Sequence, residues 1–368
     1  MQFRVLVAGN LANYGYNFTK LLREQGIDAN LLMQKFPGPV QDPRLFEKDM
    51  NEYPEWIRFW NNHNKRWKIE VIQIMREYDL IHATTELPIF AMFSGKPFVV
   101  FPTGDDINEL AFKKTLKGIL LKLAYKKAKA IIYAGPYIHE AVQRLKLKNA
   151  IFIAPPWNYT KFTPVTTINK NKKCVFFHPT HHIWRSKRND TFLRAYARLC
   201  KEREDIYLIL INRGEDFEKS INLLKDPSCQ GKYEILPATV SQNEMPKLYN
   251  NADFIVDAFT GGSTGLIGQE AMASGKPLIS YINKVLYQLL YGSIPPILSC
   301  STEEEVLSIL RKAADNKHTY RETGTKSREW ILKYHNPDNQ IKKFIFIYES
   351  ILKNVDLELI RKNVLLMQ

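Results

Sequence analysis

Short apolar runs alternate with amphipathic stretches along most of the chain. The first run, Phe3 to Ala8, breaks at Gly9-Asn10, a helical pattern follows from about Tyr16 to Gln25, and Gly26 closes it. Ala29 to Met33 reads as the next strand, and similar runs recur at Leu80–Ala83, Pro97–Phe101, Ala130–Tyr133 and Ala150–Ile153. Buried strands separated by amphipathic helices signal a parallel sheet covered on both faces. Around residues 154–172 the pattern stops. Pro155-Pro156-Trp157-Asn158, then Pro164 and the polar stretch Asn169 to Lys173, predict an interdomain linker. A second strand and helix series follows at Cys174–Phe177, Tyr207–Ile211, Tyr233–Leu236, Phe254–Asp257 and Pro277–Ser280. From about Pro337, Ile341, Phe344, Ile345, Tyr348, Ile351, Leu352 and Val355 fall at helical spacing.

The pattern therefore predicts an α/β chain of two doubly wound domains, residues 1–160 and 161–336. A helical tail over 337–368 is expected to pack back on the N-terminal domain. Two such domains would face a central cleft at the carboxyl ends of their strands, where open α/β sheets bind ligands.

Composition narrows the class. With 45% hydrophobic residues, the chain is not a disordered one. No run of about 20 uncharged apolar residues occurs, which excludes a transmembrane helix, and the N-terminal apolar run is too short for a signal peptide. Cys174, Cys200, Cys229 and Cys300 have neither metal-site spacing nor the density of a disulfide framework, so a reducing cytoplasm is expected. The formal charge is +14, from 52 Lys+Arg against 38 Asp+Glu. That excess fits nucleic acid, an anionic membrane surface or phosphate-bearing small molecules.

The most informative segment runs from Phe259 to Pro277. Gly261, Gly262, Ser263, Thr264 and Gly265 form a small-residue loop after a strand and before a helix. Backbone N–H groups in such a loop, with a helix N-terminus behind them, suit a phosphate or pyrophosphate. Glu270 follows in the helix, where its carboxylate could accept hydrogen bonds from sugar hydroxyls. The plainer alternative is a glycine-rich turn with an exposed helical Glu. The loop is not a Walker A motif, and Gly9 to Gly15 does not fit Gly-x-Gly-x-x-Gly, so a nicotinamide or flavin site is not expected.

The stretch Gly265 to Pro277 resembles the signature of retaining glycosyltransferases of the family 4 type, which have the GT-B fold of two Rossmann-like domains. Glu270-Ala271-Met272-Ala273-Ser274-Gly275-Lys276-Pro277 matches its second half closely. The family's first Glu would fall eight residues earlier, at Gly262, so Gly262, Ser263 and Thr264 are expected to replace its contact to the donor sugar. Phe101-Pro102-Thr103-Gly104-Asp105-Asp106-Ile107 is similar to the family's His-Gly-Ser-Asp loop. Leu123 to Ile132, and Leu248-Tyr249-Asn250-Asn251-Ala252-Asp253, are similar to further family stretches. Family members also carry an Arg and, five residues later, a Lys followed by Gly. Here Lys187 holds the Lys position, His182 the Arg position and Arg188 the Gly position, with Arg185 expected to supply the missing guanidinium. A solvated basic turn is the alternative for this loop; a metal site is disfavoured, because adjacent His181 and His182 diverge.

What the resemblance implies is transfer of a sugar, with retention, from a nucleotide-diphosphate sugar to a glycan or lipid-linked acceptor. The donor is a co-substrate and no cofactor is expected. No Asp-x-Asp occurs, so Lys187, Arg185 and the Gly261–Gly265 amides are expected to stabilise the leaving diphosphate without a metal. Asp105 and Asp106 either orient the acceptor and handle its proton or cap the following helix. Gly9, Asn10, Asn13 and Asn17, with Gly104, are expected on the acceptor side. Phe112 to Lys129 carries seven lysines and no acid, fitting either a helix on an anionic bilayer or a packed surface helix. A cytoplasmic location follows, at the inner face of a membrane if that helix docks there. The competing readings are a nucleotide-sugar epimerase of the same architecture, a catalytically inactive relative, and a nucleic-acid-binding protein. The last is disfavoured because no binding module is recognisable.

Overall fold

The structure, a computed structural model, describes residues 3–38, 41–45, 47, 50–156, 159–165, 173–241 and 244–367. Much of the expected linker, residues 157, 158 and 166–172, lies outside them. The chain divides into two compact units, Met1–Trp157 with His335–Gln368, and Asn158–Tyr334.

In the first unit the strands are β1 (Arg4–Ala8), β2 (Asp28–Gln34), β3 (Ile57–Trp60) and β4 (Leu80–Thr84), then β5 (Phe98–Phe101), β6 (Ala130–Tyr133) and β7 (Ala150–Phe152). They form one parallel sheet in the order β3-β2-β1-β4-β5-β6-β7. Central strands are buried on both sides, as the runs Val5 to Ala8 and Leu80 to Thr84 show. The helices are α1 (Tyr14–Glu24), α2 (Trp67–Arg76), α3 (Pro88–Ser94), α4 (Asp105–Asn108), α5 (Leu116–Lys127) and α6 (Pro136–Arg144).

The second unit holds β8 (Cys174–His178), β9 (Ile206–Ile211), β10 (Tyr233–Leu236), β11 (Phe254–Val256), β12 (Leu278–Ser280) and β13 (Leu298–Ser299). They are also parallel, in the order β10-β9-β8-β11-β12-β13. Its helices are α7 (Trp184–Lys187), α8 (Asn189–Cys200), α9 (Phe217–Asn222) and α10 (Met245–Asn251), then α11 (Leu266–Ala273), α12 (Lys284–Tyr291), α13 (Glu303–Asp315) and α14 (Arg321–Tyr334). Phe176, Phe192, Tyr196, Leu208, Phe254 and Leu307 are central to its core. Both orders reverse direction beside the first strand, which leaves a crevice at the strands' carboxyl ends.

After α14 the chain returns to the first unit as α15 (Pro337–Leu352) and α16 (Leu357–Leu366). The apolar stripe of α15 explains why it docks. Phe344 meets Phe18 edge-on at 4.9 Å, and the Tyr348 hydroxyl lies 2.6 Å from His82 Nδ1. Burial lowers the His82 pKa to about 3, so this ring is neutral and bonds as a fixed core group.

Candidate functional site

In the second unit, the loop after β11 is fixed by its own backbone. Gly261 and Gly262 are both left-handed, at φ 75° and 66°. The Asn283 N–H donates to Gly262 O at 2.9 Å, and a Cβ at Gly262 would lie 2.9 Å from Asn283 Cβ. Only glycine fits there, which accounts for the missing first Glu. Thr264 turns inward: its N–H donates to the Tyr287 hydroxyl at 2.9 Å, and the two hydroxyls lie 2.8 Å apart. Its side chain is thus committed to the fold. Among the described residues, no hydrogen bond takes up the N–H groups of Gly261, Gly262, Ser263 or Gly265. A loop of unpaired donors leading into α11 suits an anion.

Glu270, on α11, is 9% exposed rather than solvated. The Tyr249 hydroxyl donates to its Oε2 at 2.8 Å. Burial pushes its pKa up to about 7, against the lowering effects of Tyr249 and then the Arg213 charge, while Asp257 raises it. Asp257, directly after β11, is buried and accepts from the Thr180 hydroxyl at 2.7 Å. Its Oδ2 faces Gly265 and Gly268, where added Cβ atoms would approach it to 3.6 and 3.3 Å. Gly275 is left-handed beyond the end of α11 at φ 67°, and Gly324 of α14 packs on its carbonyl, where a Cβ would come within 2.2 Å. Lys276 donates to Asn250 O and Ala252 O at 2.7 and 2.9 Å, neutralising the end of α10. The residues that carried the resemblance thus brace one another.

The loop after β8 holds the cations. His178 Nδ1 donates to Val256 O at 2.9 Å, leaving Nε2 to accept from Asn189 Nδ2 at 2.9 Å. Asn189 Oδ1 accepts from Ile183 N at 3.1 Å, and Asp216 Oδ2 from Trp184 N at 2.9 Å. These bonds seat α7, whose Lys187 carbonyl accepts from Phe259 N at 2.9 Å. Lys187 is therefore tied by its backbone to the start of the glycine loop. Its ammonium has no ion pair among the described residues, and it helps lower the His181 pKa, after burial and Arg213. Arg185 is exposed on α7. His182 is fully buried against His178 and Phe217, and burial lowers its pKa to about 3. The ring is held uncharged, and neither of its nitrogens has a hydrogen-bond partner among the described residues. Arg188, at the position that is Gly in the resembled family, has the left-handed φ of 54°.

One cation escaped the sequence analysis. Arg213, two residues past β9, donates through Nε (3.1 Å) and Nη2 to Pro179 O. Its carbonyl accepts from His182 N at 2.9 Å, so the β9 loop and the β8 loop are stitched together. Its charge acts on Glu270, His181 and His182. Its only signal in the sequence was its place at a strand's carboxyl end. Tyr249 and Asp257 were likewise not expected at the site.

In the first unit, Gly9 has φ 104° and a Cβ there would lie 2.2 Å from Thr84 Oγ1. Asn10 is buried: Nδ2 donates to Gln41 O at 2.7 Å and to Asn13 Oδ1 at 3.2 Å, and Oδ1 accepts from Tyr16 N at 2.8 Å. Gly9 and Asn10 line a cavity of about 420 Å³, together with Gln34, Trp60, Trp67 and Glu86. Asn13 and Asn17 do not line it. Ala12, Asn13 and Thr85, at φ 49°, 60° and 54°, hold left-handed conformations in this region. Gly104, φ 135°, precedes α4, and Asp105 is exposed on its first turn. Asp106 is buried; it accepts from Thr103 N (3.0 Å), Gly104 N (2.8 Å) and the Tyr125 hydroxyl (3.1 Å). This carboxylate staples its own loop. Among the described residues, no cluster of three His, Cys, Asp or Glu has metal-site geometry, and no helix is long and apolar enough to cross a membrane.

Comparison with known proteins bears on this arrangement. Residues 159–287 match the family model described as "Glycosyl transferases group 1". No curated protein sequence matches the chain. Among solved structures, it is similar to Anabaena Alr3699/HepE in complex with UDP and glucose, with TM-score 0.75 at 12% identity over 95% of this chain and 100% of that one. Sucrose-phosphate synthase from Thermosynechococcus elongatus gives 0.74 at 14%, over 96% and 100%. A glycosyltransferase from Rickettsia africae ESF-5 gives 0.71 at 16%, over 96% and 99%. The chain has the GT-B fold, and the match to the glycosyl transferases group 1 model lies within its second unit.

Proposed function

We propose that this protein is a retaining glycosyltransferase of the family 4 type that uses a nucleotide-diphosphate sugar and needs no metal. One observation carries the reading: unpaired amides of the Gly261–Gly265 loop, buried Glu270 and the Lys187 ammonium share the carboxyl edge of the second sheet. Phe259 N on Lys187 O couples the cation to the loop. The Anabaena protein's complex with UDP and glucose supports a UDP-sugar as the first donor to try.

In this reading the bond from the anomeric carbon to the diphosphate breaks, and charge grows on the departing oxygen. Lys187, Arg213 and the loop amides stabilise it by fixed charge, and Arg213 takes the part of the guanidinium that His182 lacks. Glu270 accepts from a hydroxyl of the donor sugar. The acceptor hydroxyl attacks from the leaving-group side, and its proton passes to the departing diphosphate. The acceptor, a glycan or a lipid-linked sugar on the cytoplasmic side, binds the first unit's cavity, which Gln34, Trp60, Trp67 and Glu86 line. Asp106 acts by holding its loop.

Slow hydrolysis of UDP-, GDP- and ADP-sugars tests the reading without a known acceptor. Hydrolysis of one donor, lost in Lys187→Ala and in Glu270→Ala with normal circular dichroism, is expected. Near-normal turnover in both variants refutes it. The absence of a carboxylate at Gly262 favours one second reading, a nucleotide-sugar-binding relative without activity. That reading predicts UDP binding by calorimetry with no hydrolysis of any donor.

A further inference from the structure

The first unit presents an outward face that its own packing leaves uncovered. Helix α5 packs inward through Gly118, Leu121, Ala124 and Tyr125. At 100° per residue, Leu116, Ile119, Leu120 and Leu123 project from the opposite side. Leu116 is 74% exposed, Ile119 58% and Leu123 41%. Phe93, on neighbouring α3, is exposed as well. These are large apolar side chains on two adjacent helices, with nothing of the described chain over them.

Charge surrounds them. Lys113, Lys114, Lys117, Lys122, Lys126, Lys127 and Lys129 are all exposed, and no acidic residue lies between Phe112 and Lys129. Of the seven, Lys117 is paired with Glu86. A second copy of this chain would bring two such lysine sets together, which repel. Nucleic acid would meet the lysines but gain nothing from leucines at the centre. Apolar side chains flanked by lysines match a surface that is anionic outside and hydrocarbon beneath, with the side chains entering the acyl boundary and the ammonium groups staying among headgroups.

We propose that this face, centred on Leu116, Ile119 and Leu123 of α5 with Phe93 of α3 beside it, docks the protein onto an anionic bilayer. The helix lies along the surface and does not cross it. The apolar residues of this face include none assigned to donor or acceptor, and it meets the acceptor cavity through the Lys117–Glu86 pair.

The test is sedimentation of the full chain with vesicles of phosphatidylcholine alone, or with about a third phosphatidylglycerol, at low and high salt. Binding is expected only to the anionic vesicles and should weaken steeply with salt. Leu116→Glu with Ile119→Glu should lower it at least tenfold. Lys122→Ala, Lys126→Ala and Lys127→Ala should each lower it by roughly fivefold, the factor for about 1 kcal/mol per surface lysine. All these positions are exposed, so circular dichroism and vesicle-free donor hydrolysis should match the parent. Failure to bind anionic vesicles at low salt overturns the proposal, as does equal binding to neutral ones. Full binding by the double-Glu variant also overturns it, and so does a self-association that this variant abolishes.

Discussion

Placing glutamate at position 262 would restore a carboxylate eight residues before Glu270, and it is expected to damage the protein. Gly262 has φ 66°, and its added Cβ would lie 2.9 Å from Asn283 Cβ and 3.2 Å from Asn283 N. The left-handed conformation costs an L-residue about 1–2 kcal/mol. Forcing atoms into filled space adds about 1–3 kcal/mol. Both costs arise at Cβ, so Gly262→Ala should carry most of the loss seen in Gly262→Glu. Gly261 is the internal control: its φ is 75°, and nothing lies within 4 Å of an added Cβ. Gly261→Ala therefore bears the backbone cost alone. Thermal unfolding of the second unit separates the two. At about 2–4 °C per kcal/mol for a unit of this size, Gly262→Ala should melt roughly 2–12 °C below Gly261→Ala. Gly262→Glu should show no gain in donor hydrolysis. Equal melting of the two alanine variants, or a Gly262→Glu protein that melts with the parent and turns over faster, would refute the reasoning.

Three further outcomes are expected. The Glu270 carboxyl is pushed up to about 7 from its ordinary 4.5, so between those values the native state holds a proton that the unfolded chain has released. Stability conferred at low pH is then lost as pH rises through that window, by about 3 kcal/mol in total. Glu270→Gln should remove this slope in denaturant titrations; parallel pH profiles for the two proteins contradict the assignment. Arg213→Ala should weaken UDP binding by roughly 10–100-fold, the size of a charge-assisted hydrogen bond at about 1.5–3 kcal/mol, and calorimetry showing unchanged affinity removes Arg213 from the diphosphate site. At Arg188, φ 54°, Val should lower stability by about 1–2 kcal/mol while Gly is tolerated, checked by thermal melts.

The central strands were legible because parallel strands buried on both faces leave unbroken apolar runs in the sequence. The edges were not. Ile57-Arg58-Phe59-Trp60 is interrupted by a charged residue, and Leu298–Ser299 is two residues long; both close their sheets at an edge. At the site, counting back eight residues from Glu270 leads to Gly262. The reason for it lies in Asn283, on a loop the count does not reach. Glu270 could have been an exposed helical acid, since burial depends on how α10 and α11 pack around Tyr249. Arg213 joins the site through a carbonyl of a loop 34 residues earlier in the chain, a relation with no local spacing. His182, at the position of the resembled family's Arg, is buried, which spacing alone does not reveal.

The return of α15 to the first unit has a consequence for biosynthesis. Phe18 and His82 belong to strands and helices made early, while their partners Phe344 and Tyr348 follow the whole second unit. Roughly 180 residues separate the two parts, and at about 5–20 residues per second a ribosome needs roughly 10–35 s to cover them. Through that interval the nascent first unit carries an open aromatic seam over Tyr14, Phe18, His82 and Phe101. The N-terminal unit is the last to have all its residues made, and a stop codon anywhere before His335 removes the helices that cover this seam.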